Sequence, residues 1–526
     1  MLYRSIIVLF FGVFFLSTEE ALPAAKSLNS VDRGKQIYLT GKGSSPIFAF
    51  LSGPGIKAPA ANFPCINCHK EDGLGSREGG ILVPDITFSH LTREEGAHRG
   101  TSRVHPPYEK KSIKQAILSG VDPAGNPLNS TMPHYIMEDT DLEDLIAYLK
   151  VIGNIQAPGI SNNEIKVGIM LSRGGVLGEA GKVVKTLINS YLEEVNERGG
   201  IFGRSLVLKP FYIDPADKKQ SYRHFVEWLD SQPVFCFISN MGLEHDGPFN
   251  TLLRQKNIPV LGPINITPHN RSFSSTKNIF YFLPSIYDQA RILVDYYHQE
   301  NKNPTHNAAL IYMESQPSQD GRDGGIDQIK KYEGRFSFVE NLSKDGINYK
   351  LLVKNLKQSG VETVFLFAGA REFAQLAYEA EKQHWSPVLL GTMDLMGNPI
   401  SVKAEKVFSK IIVSTTSPIR PLKTKSFVKL AALGKKENIL GKFTAFQTIA
   451  LSSVYLLERG LKDIGRTVTR NKLVEQLEGF WKFETGLTPP LIFNENKHTG
   501  SLTATVIQAG LKNGKLVTVI SSLEPK

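Results

Sequence analysis

Five consecutive residues, Cys65-Ile66-Asn67-Cys68-His69, carry the densest chemistry in this 526-residue chain. Two thiols three apart, with an imidazole directly behind the second, form the attachment signature of a covalently bound c-type haem. The thiols can form thioethers with the porphyrin vinyl groups, and an imidazole tethered beside Cys68 can supply a nitrogen to one axial face of the iron. Other uses of such a pair need partners elsewhere. Zinc wants four ligands, commonly from two such pairs, but the one remaining cysteine, Cys236, lies in the apolar run Val234-Phe235-Cys236-Phe237-Ile238 and is expected as buried strand core. A thioredoxin-like pair sits between a strand and a helix, whereas Pro64 precedes this one and a Gly-rich stretch from Gly73 to Gly80 follows it. The expectation is one covalent haem c, attached by Cys65 and Cys68, with His69 on the iron.

A sixth ligand is still required, and the sequence offers Met132, followed by Pro133, 63 residues beyond His69 (132 minus 69). An axial thioether favours reduced iron and raises the potential, which suits one-electron transfer rather than oxygen chemistry. Met137, or a histidine among His90, His98, His105 and His134, would be the alternative, though each lacks the Pro-stiffened context. A loosely held Met132 would leave the iron open, which is the route to a haem peroxidase.

The elements that must position these residues begin after an export signal. Residues 1–25 have a short n-region with Arg4, an apolar core from Ile6 to Leu16 and a small-residue exit around Ala21, Ala24 and Ala25, the architecture of a cleaved secretory signal. The apolar core is shorter than the about 20 residues of a membrane span. A periplasmic location is expected. The remaining length suggests about three compact units at about 150 residues each, and 41% hydrophobic with 21% charged residues is ordinary folded composition. Lys and Arg against Asp and Glu number 14 minus 14 over residues 26–153 and 46 minus 35 over 154–526, so the net charge of +10 resides in the C-terminal part. No nucleic-acid motif accompanies that charge, and attraction to acidic partners or membrane surfaces is the expected consequence.

Gly153 to Asn163, with two Gly, one Pro and three Asn, marks a boundary. The organisation expected is a signal (1–25), a haem domain (26–153), a linker (154–163) and a second module (164–526). Leu142, Leu145, Ile146 and Leu149 recur at helical spacing, so Thr140 to Val151 should be the helix closing the haem domain. Together with Ile117 to Leu128 and Met132-Pro133-His134-Tyr135, this segment resembles class I cytochrome c domains, particularly the cytochrome subunits of periplasmic alcohol dehydrogenases, over residues 31–153. The resemblance implies an all-α domain, Met132 as distal ligand, and a redox partner such as a periplasmic dehydrogenase or another cytochrome.

Beyond the linker, strands and helices alternate, which argues an α/β architecture with mainly parallel sheets. Expected strands include Ile165–Leu171, Leu206–Ile213, Val234–Ser239, Ala308–Met313, Thr363–Ala368 and Val388–Gly391. The run Glu194-Val195-Asn196-Glu197-Arg198-Gly199-Gly200-Ile201-Phe202-Gly203-Arg204, followed by Ile258-Pro259-Val260-Leu261-Gly262-Pro263 and Phe282-Leu283-Pro284-Ser285, resembles the branched-chain amino-acid binding proteins of ABC importers. That resemblance covers nearly all of 164–526 and implies a type I periplasmic binding fold, two lobes hinged around a ligand cleft. Where the family has a hydroxyl cluster, this chain has Ser239 to His245 and Asn265-Ile266-Thr267; where a Tyr-Gly pair enters the cleft, it reads Gln319-Asp320-Gly321-Arg322. The expected cleft residues are Ser172, Asn240, Glu244, Asn265 and Asp394, the last meeting an ammonium, and together they want a polar ligand. Asp85, Asp122 and Asp214 read as turn residues. No Ser-His-Asp or paired-carboxylate constellation stands out, so the chain reads as an electron carrier with an attached solute- or partner-binding module rather than as an enzyme. The other reading is the solute receptor of an importer with the haem as redox sensor.

Overall fold

The computed structural model describes residues 28–51, 55–78, 81–94, 103–154, 156–242, 247–266, 278–300, 307–342, 347–396, 410–417, 423–509, 511–512, 515–516 and 519–526. The segment read as an export signal lies outside the described residues. The chain divides into two compact units, Met1–Ile155 and Gln156–Lys526.

In the first unit, local chemistry sets the helix ends. The Asn29 side chain accepts from the Asp32 amide and opens helix Ser30–Thr40, which Gly41 closes at φ 67°. Glu109 and Ser112 form a reciprocal capping box at the start of Lys110–Ser119. The last helix, Asp139–Ile152, carries Asp139 and Asp141 in its first turn and Lys150 in its last, complementing its dipole. Asp141 does more than that: its carboxylate accepts from the Ser44 amide (2.8 Å), the Ser44 hydroxyl (2.8 Å) and the Ser45 amide (3.1 Å). Leu142, Leu145, Ile146 and Leu149 are buried against Ile37 and Tyr38 of the first helix. Where these helices cross, a Cβ on Gly34 would lie 1.8 Å from the Asp144 carbonyl oxygen. Arg33 Nε donates to Asp144 Oδ2 at 2.6 Å beside that contact.

The first unit departs from the all-α expectation. Phe48–Leu51 is the central strand of an antiparallel sheet, flanked by Ile56–Pro59 and His134–Ile136, and Ser76–Glu78 pairs with Ile81–Val83. Each strand has only three or four residues, too short a run for a two-residue alternation to register in sequence.

The second unit has two lobes. One is built on a five-stranded parallel sheet in the order Ile279–Phe280, Val260–Leu261, Cys236–Ile238, Glu164–Ser172, Ser205–Ile213. The other is built on a seven-stranded sheet in the order Phe338–Asn341, Ala308–Tyr312, Thr363–Phe367, Val388–Thr392, Ile411–Thr415, Ala504–Ala509, Val519–Leu523, with the last two strands antiparallel to their neighbours. Cys236 is fully buried as read, and burial pushes its thiol up to about 12. Helix Gly175–Glu197 stops at Gly199 (φ 93°) and Gly200 (φ 65°), the role read for that pair. Late in the chain, helix Thr444–Ile464 returns to pack on the first lobe, so that Ile165, Leu187, Leu451 and Phe493 share one core. Two of the connections between lobes run side by side: the Tyr281 amide donates to the His498 carbonyl, and the Gly500 amide to the Tyr281 carbonyl, each at 2.8 Å.

Arg470 ties this composite lobe together. It is 7% exposed, and its guanidinium donates to the carbonyls of Val234 (2.7 Å), Phe235 (2.9 Å) and Lys256 (3.1 Å). Methionine at this position leaves those carbonyls without the charged donor. Arg470→Met is expected to cost about 3 kcal/mol, judged from buried charged hydrogen bonds, as a lowered urea midpoint for the second unit.

Candidate haem site and ligand cleft

Cys65 to His69 form a single helical turn, Ile66–His69, in which the His69 amide donates to the Cys65 carbonyl at 2.9 Å. Cys65 is half-buried, Cys68 exposed and His69 buried, and both thiols are free. Burial pushes the Cys65 thiol up to about 11 and the His69 imidazole down to about 4. His69 Nδ1 lies 3.1 Å from the Pro84 carbonyl oxygen. A carbonyl only accepts, so Nδ1 carries the proton and Nε2 keeps its lone pair, the form in which imidazole ligates metals. Pro84 is brought there by the Ser76–Val83 hairpin, which starts from Gly75 at φ 80°; any Cβ at residue 75 would meet the Val83 carbonyl at 2.1 Å.

Met132 arrives from the far side of the sequence. The Asn129 side chain accepts from the Thr131 amide and hydroxyl, and the Met132 amide donates to the Asn129 carbonyl at 2.9 Å, a tight turn ahead of Pro133. Strand His134–Ile136 then docks on Phe48–Phe50, and the Tyr135 hydroxyl donates to the Phe63 carbonyl at 2.6 Å. This hydrogen bond fixes the Met132 strand to the segment just before Cys65.

Cys65, Cys68, His69 and Met132 all line one cavity of about 210 Å³, whose walls include Ile86, Ile113, Ile117, Leu145 and Leu149. Its lining does not include His90, His105, His134 or Met137. His134 instead faces Gly120, His105 Nδ1 lies 2.8 Å from the Pro106 carbonyl, and Met137 packs into the domain core. His98 lies outside the described residues. The cavity also has a residue that the sequence did not single out. Arg103 lines it, and its Nη1 is sealed from solvent with no hydrogen-bond partner, 4.0 Å from Asp122 Oδ2. An apolar slot with two thiols at its edge, a neutral imidazole, a thioether and an uncommitted guanidinium fits the donor and acceptor needs of a haem bearing carboxylates.

In the second unit, Ser172, Asn240 and Asn265 collect at the carboxyl ends of the first lobe's strands, where α/β sheets bind ligands. Met241 bridges to Ile264, and its amide donates to the Met170 carbonyl at 2.9 Å. Asn240 is buried and its Oδ1 accepts from the Met170 amide (2.9 Å), so that this side chain locks strand to strand. The Ser172 hydroxyl turns back to the Gly174 carbonyl at 3.1 Å. Glu244 lies outside the described residues. On the other lobe, Asp394 follows strand Val388–Thr392 and accepts from Gln289 Nε2 (2.8 Å) and the Thr416 hydroxyl (3.0 Å). It is solvent-accessible yet crowded: burial raises its carboxyl above the ordinary value despite those two donors. Gln319 to Arg322 sit inside helix Gln316–Lys331, with Arg322 over the Tyr312 ring at 4.8 Å. Asp85, Asp122 and Asp214 hold turns, each accepting from a backbone amide two residues on.

Comparison with known proteins follows these two units. The family model for periplasmic binding protein matches residues 164–515, and the chain belongs to that family. The family model for cytochrome c matches residues 55–152, which implies a haem cofactor. Among solved structures, the chain resembles a fatty acid ABC transporter substrate-binding protein from Thermomonospora curvata (18% identity, TM-score 0.55, covering 70% of this chain and 95% of that one). It also resembles a branched-chain amino acid ABC transporter protein from Thermus thermophilus with bound valine (17%, 0.55, 70% and 97%). A possible leucine/isoleucine/valine-binding protein from Rhodopirellula baltica is similar at 14% identity and TM-score 0.54, covering 68% and 96%. At these identities the likeness is one of fold. No curated protein matches the chain. Among the described residues no helix is long and apolar enough to cross a membrane.

Proposed function

We propose that this protein is a periplasmic electron carrier with one covalent haem c in residues 26–153, joined by a linker at 154–163 to a solute- or partner-binding module at 164–526, and exported by a signal at 1–25. The observation that carries the reading is the convergence of Cys65, Cys68, His69 and Met132 on one apolar cavity. Cys65 and Cys68 would hold the group by thioethers, each S–H adding across a vinyl C=C with no atom lost and no oxidant needed. The bound haem supplies a one-electron couple. His69 would offer Nε2 to the iron while Pro84 holds its Nδ1 proton, and Met132 would offer its sulfur from the Asn129 turn. The mainly apolar walls would limit the access of water to the group.

Met132→Ala tests the reading. The purified wild-type chain is expected to show a low-spin spectrum with a Met-to-iron band, and the variant to lose that band and drop in potential. An unchanged spectrum would remove Met132 as ligand. The redox partner is a periplasmic dehydrogenase or another cytochrome, and the basic 154–526 module favours acidic partners.

Asp394 favours a second reading, a solute receptor with the haem as redox sensor. An accessible carboxylate at the strand ends, oriented by Gln289 and Thr416, is suited to a polar or cationic small ligand. Such a ligand would stabilise the folded module in proportion to RT ln(1 + [L]/Kd). Thermal shifts of the whole chain with a panel of amines and amino acids, compared with Asp394→Asn, would separate the readings.

A further inference from the structure

Arg103 is the one Lys or Arg lining the haem cavity among the described residues. Its side chain is 19% exposed and its Nη1 has no hydrogen-bond partner. The carboxylate behind it is fully committed elsewhere. Asp122 Oδ1 accepts from the amides of Ala124 (3.0 Å) and Asn126 (2.9 Å), and Oδ2 accepts from Asn126 Nδ2 (3.0 Å). Its side chain has no exposure, and the 4.0 Å gap to Arg103 exceeds hydrogen-bond reach. Asp122 therefore orients the guanidinium by charge without consuming its donors, of which a guanidinium has five. A haem introduces two carboxylates into a cavity whose walls are mainly apolar, where an uncompensated anion is costly.

We propose that Arg103, oriented by Asp122, binds a haem propionate and raises the potential of the iron; this rests on the haem reading above. Reduction removes one positive charge from the iron, so a fixed cation nearby favours the reduced state, and a fixed anion behind it opposes this. Neither residue touches the iron, so both act as positioning and field-setting groups.

The test is a redox titration of the full-length holoprotein and its Arg103→Gln, Arg103→Lys and Asp122→Asn variants, with the haem-to-protein ratio and the Met-to-iron band recorded alongside. Arg103→Gln is expected to shift the midpoint potential downward with the Met-to-iron band retained, and Arg103→Lys to recover most of that shift. Asp122→Asn, which keeps an acceptor oxygen for the turn, is expected to shift it upward. A potential in Arg103→Gln equal to the parent's, or the same downward shift in the Lys variant, would overturn the proposal while leaving the haem reading intact. A parent chain without haem would overturn both.

Discussion

Serine at both 65 and 68 is expected to yield a chain that carries no haem through a denaturing gel, where the parent retains its stain. A hydroxyl does not add across the vinyl groups as a thiol does, and no substitute thiol is within the site: Cys236 is in the other unit, fully buried, with its thiol pushed up to about 12. The two single variants distinguish the positions. Each should keep one thioether and shift the reduced absorbance band toward that of a haem with one free vinyl. The double variant should also melt lower, since the walls formed by Ile113, Ile117, Leu145 and Leu149 lose the permanent occupant they pack around. Full retention of stain in the double variant would dismiss covalent attachment.

Valine at residue 34 is the second change with a large expected effect. The first and last helices of the haem unit approach until a Cβ there would sit 1.8 Å from the Asp144 carbonyl oxygen and 2.9 Å from the Tyr148 Cβ. The first obstacle is backbone, so no rotamer relieves it. The helices must separate, which breaks the Arg33–Asp144 pair and opens the Ile37, Tyr38 and Leu145 core. A cost of about 3 kcal/mol is expected, at the upper end for overpacking. It should appear as a lower urea midpoint read from haem absorbance, with alanine at the same position intermediate. An unmoved midpoint would mean the helices cross elsewhere.

The Cys65–His69 run was legible as a local unit because its chemistry is contiguous: five residues in a row make one helical turn. Met132 was singled out through Pro133 and its neighbours and lines the same cavity as His69, although its turn depends on Asn129, which sequence left unremarked. Arg103 was not legible, since an isolated arginine acquires meaning only when folding places it in the cavity wall beside Asp122. In the second unit, strands such as Thr363–Phe367 were plain from their unbroken apolar runs. Helix Gln316–Lys331 was not read from sequence, since Pro317, Gly321, Gly324 and Gly325 all weaken a helical pattern. Close packing explains those glycines: a Cβ at 324 would lie 2.3 Å from the Tyr287 carbonyl oxygen, and one at 321 would meet the Phe367 ring at 2.5 Å. Tertiary contact there overrides intrinsic helix propensity. The cleft residues were read by analogy with relatives, and their geometry divides them. Asn240 and Ser172 are engaged with backbone, while among the described cleft residues Asp394 alone combines accessibility with an oriented carboxylate.

The first lobe's core contains both Ile165 and Phe493, with the whole of the second sheet's parallel portion lying between them in the chain. During synthesis the early strands are therefore made hundreds of residues before the helix Thr444–Ile464 that covers them. The part of their apolar surface that this helix covers must wait, exposed, while the first unit and the inserted lobe have their own partners already in hand. Such long-range closure is slow and invites aggregation, so demand for a holding chaperone should be concentrated on this one lobe. A ribosome that stops after Lys423 would leave the lobe with helix Gly175–Glu197 on its sheet but without Thr444–Ile464, and so with that core half closed.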